Sequence, residues 1–296
     1  MHIGIAGTGK MGTAIGKRLL ATGHVLTVWN RTPDRARELV ALGAKLADSP
    51  RELAGKVDAV ITMLTDGPAL DQVYFGPDGL LCGPVVNQLI IDMSTVSPGK
   101  QQEIGARVAA AGATYVECPV GGSVGPAQEG KLLGFVGGNA EDLARAQPIL
   151  EKLCRRVEHV GPLGAGATMK LAINLPLMVY WQTLGEALSL IQNLNLDPER
   201  VIDILSDTSG APSMLKIRGP LIAQALAGTP NPTVTVNLST MRKDLRAMLD
   251  QGNLQHYQLP LTTLALQCFD QAAEKGLDSA DCTQLPVWWL AEGGRV

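Results

Sequence analysis

The residues that decide the fold stand at the start of the chain: Met1-His2-Ile3-Gly4-Ile5-Ala6-Gly7-Thr8-Gly9-Lys10-Met11-Gly12. His2–Ala6 has the composition of a short buried strand, and a helix is expected from the end of the glycine motif to about Thr22. Gly7 permits a tight turn, Gly9 lets the backbone approach a pyrophosphate, and Gly12 lets the helix pack on the strand. The N–H groups at the start of that helix attract an anion. The six residues from Gly7 to Gly12 are therefore predicted to bind a dinucleotide.

Residues 1–162 alternate between short apolar runs and amphipathic stretches of helical length. Runs that are apolar throughout are typical of strands buried on both faces of a parallel sheet. Helix starts are marked by a hydroxyl residue before proline at Thr32-Pro33, Ser49-Pro50 and Ser97-Pro98. The pattern predicts an α/β, doubly wound Rossmann domain with right-handed crossovers. The predicted strands are His2–Ala6, Val25–Asn30, Val57–Met63, Gln88–Met93, Thr114–Glu117 and Leu132–Gly137.

Residues 163–296 contain no further strand pattern and are predicted to form an all-helical domain. A long helix from Ala165 to about Asn193 would join the two domains, with a kink expected at Pro176. Asp197-Pro198 predicts the start of another helix. Two more are expected at Met241–Leu249 and Leu261–Lys275.

Composition excludes several classes of protein. The chain has 296 residues, of which 46% are hydrophobic, so it can bury a core and is not disordered. A net charge of −3 argues against nucleic-acid or anionic-membrane partners. The sequence contains no run of 18 apolar residues, so no membrane-spanning helix is expected. The five cysteines lack metal-site spacing and are expected to be reduced thiols, with no metal bound. The first strand begins almost at Met1, which leaves no room for a signal peptide, so a cytoplasmic location is expected.

The end of the second predicted strand indicates which dinucleotide is bound. An NAD site usually places an acidic residue there, but this chain has Asn30 followed by Arg31. A guanidinium suits the 2′-phosphate of NADP, and Thr32 and Arg35 could add contacts. The sequence therefore favours NADP, with NAD as the alternative and a solvated arginine as the neutral interpretation. Met63 and Leu64 complete the predicted cofactor-binding set.

Four segments could supply chemistry, and each has a plainer interpretation. Lys170 and Asn174 are four residues apart and share a helix face, with Lys170 expected in the first turn; most such lysines point into water. The glycine-rich loop with Gly122 and Ser123 could bind a carboxylate or be an ordinary crossover. The last two are the strand end at Ser94-Thr95, which would face the ligand crevice, and Lys243-Asp244, which could be a surface ion pair.

Four motifs in fixed order resemble the β-hydroxyacid dehydrogenases, and the resemblance covers essentially the whole chain. The motifs are Gly7 to Gly12, Glu117-Cys118-Pro119-Val120-Gly121-Gly122-Ser123, Gly164-Ala165-Gly166 through Lys170 to Asn174, and Lys243-Asp244-Leu245. The resemblance implies a dehydrogenase or reductase of small carboxylic acids, such as 3-hydroxyisobutyrate, glyoxylate or succinic semialdehyde. It also implies a C-terminal domain like that of 6-phosphogluconate dehydrogenase and a homo-oligomer, either a dimer or a tetramer.

The resemblance also implies a role for each matched residue. Lys170 would exchange a proton with the substrate oxygen, and Asn174 would orient the substrate. Gly122 and Ser123 match the loop that holds the carboxylate. Thr95 and Lys243 match positions beside the nicotinamide and the substrate, and Ser94 is included with them as a substrate-binding residue.

The chain departs from the family pattern in three respects. Gly121 and Ser123 exchange the usual order of serine and glycine in the carboxylate loop, Val236 stands where phenylalanine is common, and Pro176, soon after Asn174, could bend the long helix. These changes suggest a rearranged or roomier pocket. Two rival functions remain open. One is an imine reductase, because Val28–Pro33 resembles the 2′-phosphate-binding segment of those enzymes. The other is a cofactor-binding module without turnover. Imine reductases generally lack the lysine that Lys170 supplies.

Overall fold

The computed structural model describes residues 1–294 as two compact units, Met1–Lys170 and a second unit that begins at Leu171. Each unit has its own hydrophobic core. The first is α/β and the second is helical, as the sequence predicts. Long helix α8 begins in the first unit and continues into the second.

A single sheet organises the first unit. Its strand order is β3-β2-β1-β4-β5-β6-β8-β7, with β9 paired to the other side of β8. The six strands from β3 to β6 are parallel, and the direction of winding reverses between β1 and β4. Reversal of this kind opens a crevice at the carboxyl ends of the strands. The strands are β1 His2–Ala6, β2 Val25–Trp29, β3 Lys45–Leu46, β4 Ala59–Thr62, β5 Leu89–Asp92, β6 Thr114–Glu117, β7 Val120–Gly121, β8 Leu132–Gly137 and β9 Cys154–Gly161.

The central strands are buried on both faces because their neighbouring residues enter different cores. Ile61 packs with helices α1 and α7 on one face, while Val60 packs with α4 and α5 on the other. Side chains alternate across a sheet, so an apolar residue is needed at every position. The helices of this unit are α1 Lys10–Ala21, α2 Arg37–Ala41, α3 Pro50–Ala54, α4 Gly67–Phe75, α5 Pro98–Ala110, α6 Val124–Glu129 and α7 Ala140–Leu153.

The structure corrects the expected sheet at its far edge. β8 runs antiparallel to β6 and β7, so the chain makes no right-handed crossover there. Helix α6 has six residues and spans about 9 Å. Since β8 is about 20 Å long, such a helix is too short to return the chain to the opposite end of the sheet. β9 was not predicted, because exposed Arg155 and Arg156 interrupt its apolar pattern.

In the first unit, the hydroxyl caps predicted before proline are confirmed at two of three positions. The side-chain oxygens of Ser49 and Ser97 accept hydrogen bonds from the N–H groups of Glu52 and Lys100. The Thr32 side chain forms no such cap, and Pro33–Ala36 is a 3-10 helix. In that tighter turn, the Thr32 carbonyl accepts from Arg35 N–H while the hydroxyl is not used.

The second unit consists of helices around one core. α8 continues through Pro176, where the carbonyl that loses its donor belongs to exposed Ala172 and can bond to water. α10 was not predicted, because Gly219 and Pro220 lie inside it; Gly219 packs on Ile202 of α9. None of the helices formed by residues 1–294 has the length and apolar character needed to cross a bilayer. The helices are α8 Ala165–Ile191, α9 Pro198–Ser206, α10 Ser213–Leu226, α11 Leu238–Leu254, α12 Pro260–Ala272 and α13 Gln284–Trp288.

Candidate active site

The glycine motif forms a tight loop between β1 and α1. Gly7 has φ +103°, and its N–H donates to the Trp29 carbonyl at 2.9 Å. A Cβ on Gly12 would overlap the Gly7 carbonyl oxygen, whereas a Cβ on Gly9 would meet nothing within 4 Å. Gly9 is the N-cap residue of α1 and has no side chain to satisfy the first N–H groups. The loop therefore presents backbone donors to an open space, which fits the pyrophosphate of a dinucleotide.

Asn30 links this loop to the segment that follows β2. Its side chain accepts from Thr8 N–H at 3.0 Å and donates to the Thr32 carbonyl at 2.9 Å. Asn30 thus holds exposed Arg31 beside the glycine loop. Neither Arg31 nor Arg35 forms an ion pair within residues 1–294, while nearby Arg37 pairs with Asp34 at 2.7 Å. Arg31 and Arg35 therefore have guanidinium groups available to a bound phosphate.

Met63 and Leu64 lie on the other side of the point where the winding reverses. A Cβ built on Gly7 would overlap the Met63 carbonyl and lie 2.9 Å from Leu64 Cδ2. The Met63 N–H donates to the Ala6 carbonyl at 3.0 Å. The predicted cofactor residues at the ends of β1, β2 and β4 thus meet at one edge of the sheet.

Ser94 is placed differently from its prediction. It is fully buried, its hydroxyl accepts from Leu64 N–H at 2.9 Å, and it approaches Asp92 Oδ2 at 3.3 Å. The side chain fastens the ends of β4 and β5 together. Thr95, the next residue, is partly exposed. A substrate contact therefore stays a prediction for Thr95, whereas the buried Ser94 hydroxyl is already hydrogen-bonded within the protein.

A buried polar network surrounds Asp92 beneath the site. Its carboxylate accepts from Thr62 Oγ1 at 2.5 Å and Gln101 Nε2 at 3.1 Å, and the Tyr115 hydroxyl donates to Gln101. Burial raises the pKa of Asp92 and raises the pKa of Tyr115 well above its usual value. The network joins β4, β5, β6 and α5, and it gives the strand ends a rigid base.

The start of α8 is held by Glu117, at the end of β6. This fully buried carboxylate accepts backbone hydrogen bonds from Gly164 at 2.5 Å, Gly166 at 3.0 Å and Ala167 at 3.2 Å. A Cβ on Gly137 would overlap Glu117 Oε1, so glycine is needed there to make room. Sequence reasoning quoted Glu117 within a motif but gave it no role. The signal that could have indicated its role is an acidic residue at the end of an otherwise apolar, buried strand.

Burial raises the pKa of Glu117 to about 7, in spite of the three N–H donors that favour its charged form. Because folding raises the pKa, this group stabilises the fold below its unfolded pKa, near 4.5, and that stabilisation is lost as pH rises through 7. The shift corresponds to about 3 kcal/mol. We expect the free energy of unfolding to fall between pH 5 and pH 8 by up to about 3 kcal/mol more than in Glu117→Gln. Urea titrations at both pH values measure this difference, and equal pH dependence in the two proteins would contradict it.

The residues predicted for chemistry lie in both units. Lys170 was expected in the first turn of α8. It is the sixth residue of the helix and therefore lies in the second turn, where it is partly buried. Asn174 follows on α8, in the second unit. Gly122, with φ +125°, and Ser123 are exposed between β7 and α6. Lys243 lies on α11, with Nζ 2.9 Å from Oδ1 of buried Asp244, so this pair is not confined to the surface.

Two family models together match almost the whole chain. Residues 2–161 match the NAD binding domain of 6-phosphogluconate dehydrogenase, and residues 164–288 match the NAD-binding domain of NADP-dependent 3-hydroxyisobutyrate dehydrogenase. The 3-hydroxyisobutyrate dehydrogenase of Pseudomonas aeruginosa is 33% identical over 291 residues, which cover 96% of this chain and 97% of that one. The chain belongs to the β-hydroxyacid dehydrogenase family.

Other members of the family agree in sequence and in fold. Glyoxylate/succinic semialdehyde reductase 1 of Arabidopsis thaliana is 32% identical, with 95% of this chain and 96% of that one covered. A crystal structure of 3-hydroxyisobutyrate dehydrogenase from Salmonella typhimurium superposes with a TM-score of 0.88 at 26% identity, covering 97% and 99% of the two chains. The protein is therefore an oxidoreductase with a nicotinamide cofactor.

The residues present fit such a cofactor. The space in front of Gly9 is open, and the two arginines after β2 are unpaired within residues 1–294. Thr8 Oγ1 is buried and has no hydrogen-bond partner in the part of the chain that the structure describes. A buried hydroxyl of this kind usually has a partner. Its position in the glycine loop is explained by a ligand that supplies one.

The glycine loop yields a prediction with a built-in control. Gly12→Ala places a methyl group on the Gly7 carbonyl and should lower both NADPH affinity and the free energy of unfolding, the latter by about 2 kcal/mol. Gly9→Ala meets no protein atom and should leave stability within about 0.5 kcal/mol. Its methyl group would nevertheless occupy the predicted pyrophosphate site, so NADPH affinity should fall about tenfold or more. NADPH fluorescence titration and thermal unfolding measure both quantities. Wild-type affinity in Gly9→Ala would contradict the placement of the phosphates.

Proposed function

We propose that this protein is an NADP-dependent dehydrogenase or reductase that interconverts small aldehyde or semialdehyde acids and the corresponding hydroxy acids. The observation that carries the proposal is Lys170, followed one helical turn later by Asn174, on the helix whose start Glu117 holds. Both residues match the family motif for proton transfer and substrate orientation. The substrates named for the relatives, 3-hydroxyisobutyrate, glyoxylate and succinic semialdehyde, define the class proposed here.

The preference for NADP rests on the segment after β2. Arg31 is exposed and unpaired among the described residues, and Asn30 replaces the carboxylate that would repel a 2′-phosphate. A guanidinium forms charge-assisted hydrogen bonds with phosphate. Arg35 lies within the next turn and would add positive charge. The description of the matching family model as NADP-dependent supports the same preference.

Each proposed residue has a definite task in the reaction. The nicotinamide cofactor, when bound, supplies a hydride for the substrate carbonyl carbon. Lys170, as the ammonium form, donates a proton to the carbonyl oxygen, and as the neutral amine it accepts that proton in the oxidation. Gly122 and Ser123 bind the substrate carboxylate, while Asn174 orients the substrate. Thr95 and Lys243 match the positions that the family motif assigns beside the nicotinamide and the substrate.

Substrate profiling tests this proposal. NADPH consumption would be followed with glyoxylate, succinic semialdehyde, methylmalonate semialdehyde, tartronate semialdehyde and a cyclic imine. Butanal, which matches succinic semialdehyde in chain length but lacks the carboxylate, is the control for carboxylate binding. We expect kcat/KM for at least one acid to exceed that for the imine. We also expect butanal to be at least about 10-fold poorer than succinic semialdehyde, since a charge-assisted hydrogen bond is lost. Turnover of the imine alone would favour an imine reductase, and NADPH binding without any turnover would favour a non-catalytic module.

Oligomeric state and location are also part of the proposal. We propose a homo-oligomer, with Trp288 and Trp289 near the subunit contact; their rings pack edge to face at 6.2 Å. Size-exclusion chromatography with light scattering would detect a dimer or a tetramer, and a monomer would contradict this part. The five cysteines are free thiols, which supports a cytoplasmic location.

A further inference from the structure

The first turn of α8 is attached to the sheet by a side chain from another element. Helix starts are usually capped by a residue immediately before the helix. Here the residues before and within the first turn are Gly164, Ala165 and Gly166, which have no polar side chain. The hydrogen-bond acceptor comes instead from Glu117, 47 residues earlier than Gly164. The cap therefore joins the helix to the carboxyl end of β6.

Both ends of this attachment lie within a few residues of a predicted part of the active site. Glu117 is followed after four residues by Gly122 of the carboxylate-binding loop. Its last hydrogen-bond donor, Ala167, precedes Lys170 by three residues on α8. One carboxylate thus sets the position of the proposed proton donor relative to the proposed substrate loop. All these residues belong to the first compact unit.

Packing around the carboxylate leaves little freedom for another arrangement. A Cβ on Gly166 would overlap the Phe135 carbonyl of β8 and lie 3.2 Å from the Glu117 carboxyl carbon. A Cβ on Gly137 would overlap Glu117 Oε1. The absence of side chains at both glycines lets backbone and carboxylate meet closely. The first turn of α8 therefore packs directly against the Glu117 carboxylate and the β8 backbone, with no side chain between them.

We propose that Glu117 is a positioning residue of the reaction, which holds the first turn of α8, and thereby Lys170, in register with the Gly122–Ser123 loop. This inference rests on the proposed function, in which Lys170 donates the proton. Displacement of a reacting group by about 1 Å can reduce a rate 100-fold. The ionised carboxylate accepts three N–H bonds, and protonation removes acceptor capacity, so positioning is best in the charged form.

Other ionisable groups near Glu117 are Asp92 on β5, Tyr115 on the same strand as Glu117, and Cys118, which follows the end of that strand. Burial raises the pKa of Tyr115 and Cys118 well above their usual values, so neither ionises near neutral pH. The first turn of α8 presents backbone N–H groups and no ionisable side chain from Gly164 to Met169. Since the pKa of Glu117 is about 7, kcat should increase with pH through this region in the wild type.

The experiment compares Glu117→Gln, Glu117→Asp and Lys170→Ala in the full-length protein. Glu129→Gln, a charge removal at an exposed residue of the same unit, is the control. The readouts are kcat and KM against pH, the NADPH dissociation constant and the melting temperature. We expect Glu117→Gln to lower kcat 10- to 100-fold, to leave the NADPH dissociation constant within about twofold, and to lose the increase of kcat through pH 7. Glu117→Asp keeps the charge and should recover part of kcat together with the pH dependence. Glu129→Gln should match the wild type.

The possible outcomes separate this inference from the proposed function. Wild-type kcat and pH dependence in Glu117→Gln, with Lys170→Ala inactive, would overturn the positioning role alone. Full turnover in Lys170→Ala would overturn the proposed function and this inference with it. If Glu117→Gln does not fold, Glu117→Asp decides: a lower kcat with unchanged NADPH binding supports positioning. Parallel loss of kcat, NADPH binding and melting temperature in Glu117→Asp would indicate a purely structural role and contradict the inference.

Discussion

Lys170→Ala is expected to lower kcat by about 10²- to 10⁴-fold, which is the usual contribution of a positioned acid or base. Lys170 lies in the second turn of α8 and is partly buried. In the proposed mechanism, its removal leaves the substrate oxygen without its proton donor, while the glycine loop proposed to bind the cofactor is unchanged. NADPH affinity should therefore remain within about twofold of the wild type, which is a change in binding free energy of less than about 0.5 kcal/mol. Steady-state kinetics and NADPH titration measure the two effects separately.

A second substitution distinguishes proton transfer from simple charge. Lys170→Arg keeps a positive side chain, but a guanidinium does not release its proton at accessible pH. It should therefore remain nearly as slow as Lys170→Ala. Lys131→Ala, at an exposed lysine paired with Glu129, is the control and should have wild-type kcat. Recovery of turnover in Lys170→Arg would assign Lys170 an electrostatic role, and wild-type turnover in Lys170→Ala would remove it from the mechanism.

Arg31→Ala is expected to lower the ratio of NADPH to NADH efficiency by about 10- to 150-fold, which corresponds to a charged hydrogen bond of about 1.5–3 kcal/mol. The change should appear in KM for NADPH, because the 2′-phosphate is bound equally before and during hydride transfer. Efficiency with NADH, which lacks that phosphate, should be nearly unchanged. Initial rates with both cofactors measure the ratio.

The same segment offers a matched control for this prediction. Arg37 is also exposed, but its guanidinium is 2.7 Å from Asp34 and is already paired. Arg37→Ala should therefore leave cofactor preference unchanged. An unchanged ratio in Arg31→Ala would contradict its assignment to the 2′-phosphate. A large effect in Arg37→Ala would indicate that Arg37, and not Arg31, binds the 2′-phosphate.

Local patterns in the sequence were sufficient to predict much of the fold. β1, β6 and β8 begin and end as predicted, and α8 begins at Ala165 as expected. These segments have an uninterrupted apolar pattern or clear boundary residues. β9 was missed because an edge strand with exposed arginines lacks that pattern. α10 was missed because tertiary packing of Gly219 against Ile202 outweighs the weak helical propensity of Gly219 and Pro220.

In the candidate site too, features set by neighbouring residues could be predicted from the sequence, and features set by distant contacts could not. The glycine loop is local, so its spacing alone predicts the tight turn at Gly7 and the close contact at Gly12. Ser94 stands at a strand end as predicted, but the direction of its hydroxyl depends on Asp92 and Leu64 in the folded chain. Glu117 depends on a contact with residues 47 to 50 positions away. No local pattern encodes such a contact, so its role emerged only from the structure.

The most direct test of the account follows the hydride itself. The aldehyde acid with the highest kcat/KM in the substrate profile and a cyclic imine would be supplied together at equal concentration, with NADPH carrying deuterium at either the R or the S position of C4. Mass spectrometry then locates the deuterium in the products. We expect one deuterium on the carbinol carbon of the hydroxy acid, from one of the two labelled cofactors, and little or none in the amine. Deuterium found only in the amine, or in neither product, would contradict the assignment of this chain as a reductase of aldehyde acids.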